Sequence, residues 1–278
     1  MIAIATYIDN QLDLITEFGW LYRSWLYSKL WATSQIIAFH NPSIDMKLLP
    51  HNDNIIYVPL PPLTEIDKSW SNYPFINSIW YLTTPDAEFL TRFDYVLRTD
   101  NDCFLTSNFS NLQPRLAMFG IGMYAQRPKV VIRLAEIADK WGILPNFNNV
   151  GSTFVMRGDL ALNYSKLQFE YCEKLKREEF TNGPGEWPEW FFGVLSMYAG
   201  NLAANAFFGM GLTLGGLDIH CMSNDPICST DYHIHAWHTY DHFSKFKWRN
   251  GEYKSWDLDN LDKSIISNYC LSIAGTEP

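Results

Sequence analysis

Apolar residues fall along this chain in two rhythms, short unbroken runs and longer stretches with a helical repeat. Residues 2–7 and 35–39 are runs of the first kind, and between them Leu14, Phe18, Leu21, Trp25 and Leu26 recur at helical spacing. Strands over 2–7 and 35–39 with a helix over 12–30 are therefore expected. A third apolar run at 55–58 closes on Pro59, Pro61 and Pro62, which cannot continue a ladder or open a mid-helix turn. A helix over 76–93 with a turn near Pro85 and a strand over 95–98 follow.

The second part of the chain continues in the same manner. An apolar run at 116–124 precedes a helix over 128–141, a strand over 152–156 and a helix over 160–176. The loop Asn182-Gly183-Pro184-Gly185 leads to a helix opening at Pro188, where a missing N–H costs nothing, and its apolar stretch covers 191–204. A strand is expected over 232–237. Strands alternating with helices predict an α/β fold, a mostly parallel central sheet flanked by helices with right-handed crossovers. Such sheets carry ligands at the carboxyl ends of their strands. No linker or repeat divides the sequence, so one domain over 1–278 is expected, with halves over 1–106 and 107–278.

Composition narrows the functions available. The formal net charge of −9 and the lack of a basic tract exclude a nucleic-acid partner, because phosphate backbones are held by clustered Lys and Arg. An odd five cysteines without a Cys-x-x-Cys pair fit a reducing compartment, so a cytoplasmic location is expected. No run reaches the length of a membrane span, and none is expected. The high aromatic share, 16%, offers stacking surfaces for sugars, with Trp187, Trp190 and Trp237 as candidates, although a ring-rich core accounts for most of it.

The candidate chemistry lies in two places. Asp100-Asn101-Asp102 follows the expected strand over 95–98, and paired carboxylates there can hold a divalent ion that in turn grips a diphosphate. About one Asp-x-Asp is expected by chance in such a chain, and a second stands at Asp257-Leu258-Asp259 with no apolar run before it. Strand-end placement favours the first. Four of the seven histidines, His233, His235, His238 and His242, fall within ten residues, near Lys245, Lys247 and Arg249. On a strand His233 and His235 share a face, and His238 sits where a loop can reach a metal.

With these residues in view, the chain resembles the GT-A glycosyltransferases. The resemblance rests on the first strand, on Tyr95-Val96-Leu97-Arg98-Thr99-Asp100-Asn101-Asp102, on Phe147-Asn148-Asn149-Val150-Gly151-Ser152-Thr153, and on a late His followed by Lys-Phe-Lys-Trp. It implies a GT-A-like, Rossmann-related fold and transfer of a sugar from a nucleotide diphosphate donor, by default a UDP-sugar, to a carbohydrate or other hydroxyl acceptor. It also implies Mn²⁺ or Mg²⁺ held by Asp100, Asp102 and His238, with His235 as the alternative ligand. Tyr7, Arg98, Asp100, Asn149, Ser152 and Lys245 then face the donor. The tail departs from the common pattern, since His242 to Trp248 contains neither Gly nor Pro. Glu186 and Glu189, at the expected helix start, are the candidate general bases of an inverting reaction. A nucleotidyltransferase would want a Gly-rich opening loop that Thr6-Tyr7-Ile8-Asp9-Asn10 does not supply. A non-catalytic sugar-binding module would need only the tryptophans.

Overall fold

The structure is a computed structural model, described here for residues 1–144, 149–221, 224–237 and 242–276. In chain order its elements are β1 (Ile2–Ile8), α1 (Leu12–Tyr27), β2 (Ser34–His40), β3 (Ile55–Pro59), the single turns α2 (Leu63–Ile66) and α3 (Asn77–Trp80), β4 (Tyr95–Arg98), β5 (Cys103–Leu105) and β6 (Ala117–Ile121). There follow α4 (Pro128–Lys140), β7 (Val150–Met156), α5 (Gly158–Glu179), α6 (Leu195–Phe208), β8 (Leu212–Leu214), β9 (Ile219–His220), β10 (His233–His235), α7 (Lys245–Arg249) and α8 (Ile266–Gly275). The architecture is α/β, with a mostly parallel sheet flanked by helices. Among the described residues no helix is long and apolar enough to cross a membrane.

The chain forms two compact units, residues 1–60, 98–113 and 216–278 in the first and 61–97 and 114–215 in the second. Residues 216–278 thus join the N-terminal stretch. In the first unit β1 and β2 run parallel from Ile2 opposite Ser34, and β3 adds parallel to β2. β1 is buried at every position, so it reads as one apolar run without alternation. A smaller sheet pairs β10 antiparallel with β5 and parallel with β9. Trp20 of α1 stacks on Phe104 of β5 at 5.8 Å, and Ile234, Phe243, Tyr253, Tyr269 and Leu271 complete that core.

In the second unit β6 pairs antiparallel with β7 and parallel with β8. α5 and α6 pack over a core that includes Tyr73, Leu134, Leu175, Tyr198 and Leu202. Two expected helices are revised here. The stretch 76–93 is not one helix but α3 followed by 3₁₀ turns, because Thr84, extended before Pro85, interrupts the repeat. No helix opens at Pro188. The segment doubles back instead, with Gly185 bridging Phe191, and α6 starts only at Leu195 after a 3₁₀ turn. In Gly185 a Cβ would lie 1.9 Å from the Trp190 carbonyl oxygen, and φ is +70°, so only glycine fits that fold-back.

Candidate active site

Asn101, the middle residue of the first Asp-x-Asp, ties it to β1. Its amide accepts from Thr6 Oγ1 at 2.7 Å and donates to the Tyr7 carbonyl at 2.8 Å, all within the core. Thr99 N–H adds a bond to the Ala5 carbonyl. With the backbone fixed, Asp100 and Asp102 project on either side of Asn101. Asp100 Oδ1 accepts from Arg98 Nη2 at 2.7 Å. Asp102 is buried and meets cations on both oxygens: His235 Nε2 lies 3.3 Å from Oδ1, and Lys245 Nζ bonds to Oδ2.

β10 brings His235 to this place, because it pairs with β5 so that His235 stands opposite Cys103, one residue from Asp102. Its Nε2 is also 4.0 Å from Asp100 Oδ2. Its other nitrogen, Nδ1, lies 3.1 Å from Asp218 Oδ1, so the ring is fixed from behind by a buried carboxylate. Asp218 has φ +53°, a left-handed conformation that Asp tolerates better than most residues. Its backbone N–H donates to His233 Nδ1 at 3.2 Å, which leaves Nε2 of that ring as the donor to Thr99 Oγ1 at 2.8 Å.

The charges explain the protonation states. Burial pushes the Asp102 carboxyl up, but the charges of Lys245 and His235 overcome it and hold the group well below the carboxylate range. Burial works against the His235 cation too, and Asp102 and Asp218 reverse it, raising its pKa to about 10. His233, wholly buried, is driven down to about 4 by desolvation and stays neutral. The Cys103 thiol is raised far above its usual range by burial and then by Asp102, Asp100 and Asp218.

Carboxylate and imidazole donors of this kind are ones that divalent cations take. Asp100 and Asp102 bring carboxylate oxygens to 4.0 and 3.3 Å from His235 Nε2, and the imidazole has the carboxylate behind it that metal-binding histidines commonly carry. Asp102, Cys103 and His235 offer ligand atoms within 4.8 Å of one another, and an ion there would take the thiol as thiolate and the imidazole in its neutral form. The second triplet is different: Asp257 and Asp259 are exposed, and the Asp257 carboxylate only accepts from Asn260.

The structure thus gathers Arg98, Asp100, Asp102, His235 and Lys245 in the first unit. Tyr7 lies beneath them, buried, its hydroxyl donating to the Leu60 carbonyl. His238 lies outside the described residues, as do Phe147 and Asn148. Asn149, Ser152, Glu186 and Glu189 belong to the second unit. There Asn149, at φ +32°, donates to the Gly122 carbonyl, and Ser152 is half-buried in β7. Glu186 is exposed, whereas Glu189 Oε2 is buried with no hydrogen-bond partner among the described residues. Of the tryptophans, Trp190 is a core ring, stacked on Tyr198 at 4.2 Å and on Phe180 at 5.5 Å. Trp187 is exposed and lines an open cleft of about 320 Å³ with Met123, Tyr124, Gln126, Arg127 and Pro188.

A family model described as "Domain of unknown function (DUF7164)" matches residues 52–274, well over half of the chain. The chain belongs to this family. No curated protein matches the DUF7164 chain. Among solved structures it is similar to the galactosyltransferase LgtC in complex with donor and acceptor sugar analogs, with a TM-score of 0.57 and 12% identity over 100% of this chain and 98% of that one. The active-site mutant Q189E of LgtC gives a TM-score of 0.54 and 11% identity over 84% and 86% of the two chains. The bifunctional glycosyltransferase WbbM gives 0.50 and 10%, covering 99% of this chain but 49% of that one. At such identities the likeness is one of fold, and that fold is GT-A-like.

Proposed function

We propose that this chain is a divalent-metal-dependent glycosyltransferase that moves a sugar from a nucleotide diphosphate, by default a UDP-sugar, to the hydroxyl of a carbohydrate acceptor. The observation that carries the reading is the convergence of Asp100, Asp102 and His235, with Lys245 beside them, in a GT-A-like fold. Bound Mn²⁺ or Mg²⁺ would supply the charge that steadies the departing diphosphate. The chain's own part is to hold the two carboxylates in place through Asn101, to orient the His235 ring through Asp218, and to offer the Lys245 ammonium and the Arg98 guanidinium to phosphate oxygens.

For the acceptor step, Glu189 is the stronger of the two candidate bases and the reading is inversion. Its half-buried carboxylate with one unpartnered oxygen has a proton-accepting lone pair to spare, and solvated Glu186 does not differ from any surface acid. Calorimetry with UDP should show tight binding in Mn²⁺ and weak binding in EDTA, because an acidic chain has few other means of holding a diphosphate. Equal affinity in both buffers sinks the metal-dependent reading. Glu189→Gln should lower turnover by about 10²–10⁴ with donor binding preserved. Full turnover, or a product whose anomeric proton shows retention, removes Glu189 from that role.

A further inference from the structure

Two carboxylates on α1 meet one cation of α7, and the other cation of that helix, one turn earlier, reaches the carboxylate cluster. Asp13 and Glu17 are four residues apart on α1, as are Lys245 and Arg249 on α7, so each pair shares one helix face. Arg249 joins the two faces, with Nη2 2.6 Å from Glu17 Oε1 and Nε 3.2 Å from Asp13 Oδ2. One turn earlier on α7, the Lys245 ammonium bonds to Asp102 Oδ2. Ser244 caps the helix, accepting from Lys247 N–H, and fixes where Lys245 begins. Glu17 and Lys245 are both buried, and Glu17 interacts electrostatically with both Lys245 and Asp102.

This arrangement sets a condition on cation binding. Asp102 has one oxygen against His235 and the other against Lys245. An ion that takes Asp102 meets an ammonium already seated there, and two cations at contact distance repel strongly in a partly desolvated site. The ammonium has to move, and a buried ammonium needs another anion. Glu17 is the carboxylate already on the facing helix.

We propose that Lys245 is a tethered counter-ion of the Asp100–Asp102 pair, displaced from Asp102 when a divalent cation binds, and that Glu17 is the positioning residue that receives its ammonium. The inference rests on reading Asp100, Asp102 and His235 as a divalent-cation site. Its consequence is that the lysine's charge is stored against the site and leaves Asp102 only as the cation arrives.

The test is a titration with Mn²⁺ alone, followed by calorimetry and by the spin-resonance signal of free Mn²⁺, on the wild-type chain, Lys245→Met, Glu17→Gln and the double variant. Lys245→Met should bind Mn²⁺ tighter by about tenfold or more, the scale of coupling inside one ion-pair network. Glu17→Gln should bind it more weakly by about tenfold, and the double variant should match Lys245→Met within about threefold. Glu17→Asp, which keeps the charge, should recover most of the loss and stands in if Glu17→Gln does not fold. Unchanged or weaker binding by Lys245→Met overturns the displacement. A Glu17→Gln loss that persists in full on the Lys245→Met background overturns the positioning role, since it would mark a general field effect. Absence of Mn²⁺ binding in all four proteins removes the cation site itself, and this inference with it.

Discussion

Replacing Asn101 by Ala tests whether the residue between the two aspartates holds the site together. Its side chain makes two buried hydrogen bonds, accepting from Thr6 Oγ1 at 2.7 Å and donating to the Tyr7 carbonyl at 2.8 Å, and both partners lie on a strand buried at every position. Truncation leaves the buried Thr6 hydroxyl without the acceptor that Asn101 supplies, at about 1–3 kcal/mol, and removes the bond to the Tyr7 carbonyl, worth about 1 kcal/mol. A loss of about 2–4 kcal/mol is therefore expected, less whatever a water or a small shift of the turn recovers. Thr6→Val removes one of the two bonds and leaves the other, so it should cost about 1–2 kcal/mol. Urea denaturation followed by circular dichroism gives both values, and the double variant gives their coupling. Mn²⁺ affinity should fall further in Asn101→Ala than in Thr6→Val, because only the first frees the turn that carries Asp100 and Asp102. Stability of Asn101→Ala within about 0.5 kcal/mol of wild type, the range of ordinary surface changes, would refute the reasoning.

Two further predictions concern the same region. Asp102→Asn should lower transferase activity by orders of magnitude, because it removes a charged donor from the proposed cation, whereas Asp259→Asn, on an exposed turn, should leave it near normal; a dead, folded Asp259→Asn beside an active Asp102→Asn would move the site. His233, neutral and buried with its pKa at about 4, makes folding pH-dependent. The unfolded chain takes up this proton near pH 6.5 and the folded chain only near 4, so stability present above 6.5 is lost as pH falls through that window, by about 3 kcal/mol at most. In denaturation curves from pH 7 to 4, His233→Gln should flatten that part of the slope, and an unaltered slope would show that His233 does not govern it.

Strands could be found in the sequence where both faces are covered and the run is almost wholly apolar, as in β1 and β2, and β1, β2, β3 and β4 fall within a residue or so of their apolar runs. The periodic helices α1, α4 and α5 could be found for the matching reason. The stretch 76–93 and the turn at Pro188 could not, since their apolar content suits a helix and only local geometry breaks it. Context separated the two Asp-x-Asp triplets, one buried and one on the surface. Asn101 was visible only as the spacer of its triplet, and the partners of Asp218 and Glu17 left no trace in the local pattern. Glu17 reads as an ordinary helix charge until Arg249, 232 positions away, covers it. Asp218 gains meaning only through His235 and His233, and its left-handed backbone follows a Gly-Gly pair that was the one available hint.

The first unit is drawn from three stretches of chain, and this bears on the order in which the protein becomes whole during synthesis. Lys245 is 143 positions from the Asp102 it neutralises, and Arg23 caps carbonyls of α8 about as far off as the chain allows, 250 positions to Ile273. At about 5–20 residues per second, several seconds or more pass between the emergence of Asp102 and that of its two cations. Through that interval Asp102 lacks both His235 and Lys245, and by its end residues 61–97 and 114–215 have all emerged and can fold as the second unit. Closing such long loops has a large entropic cost that only the completed contacts repay. A nascent chain halted before Lys245 should therefore hold a formed second unit and an unfinished first one, and ion binding would mark the moment the last stretch docks.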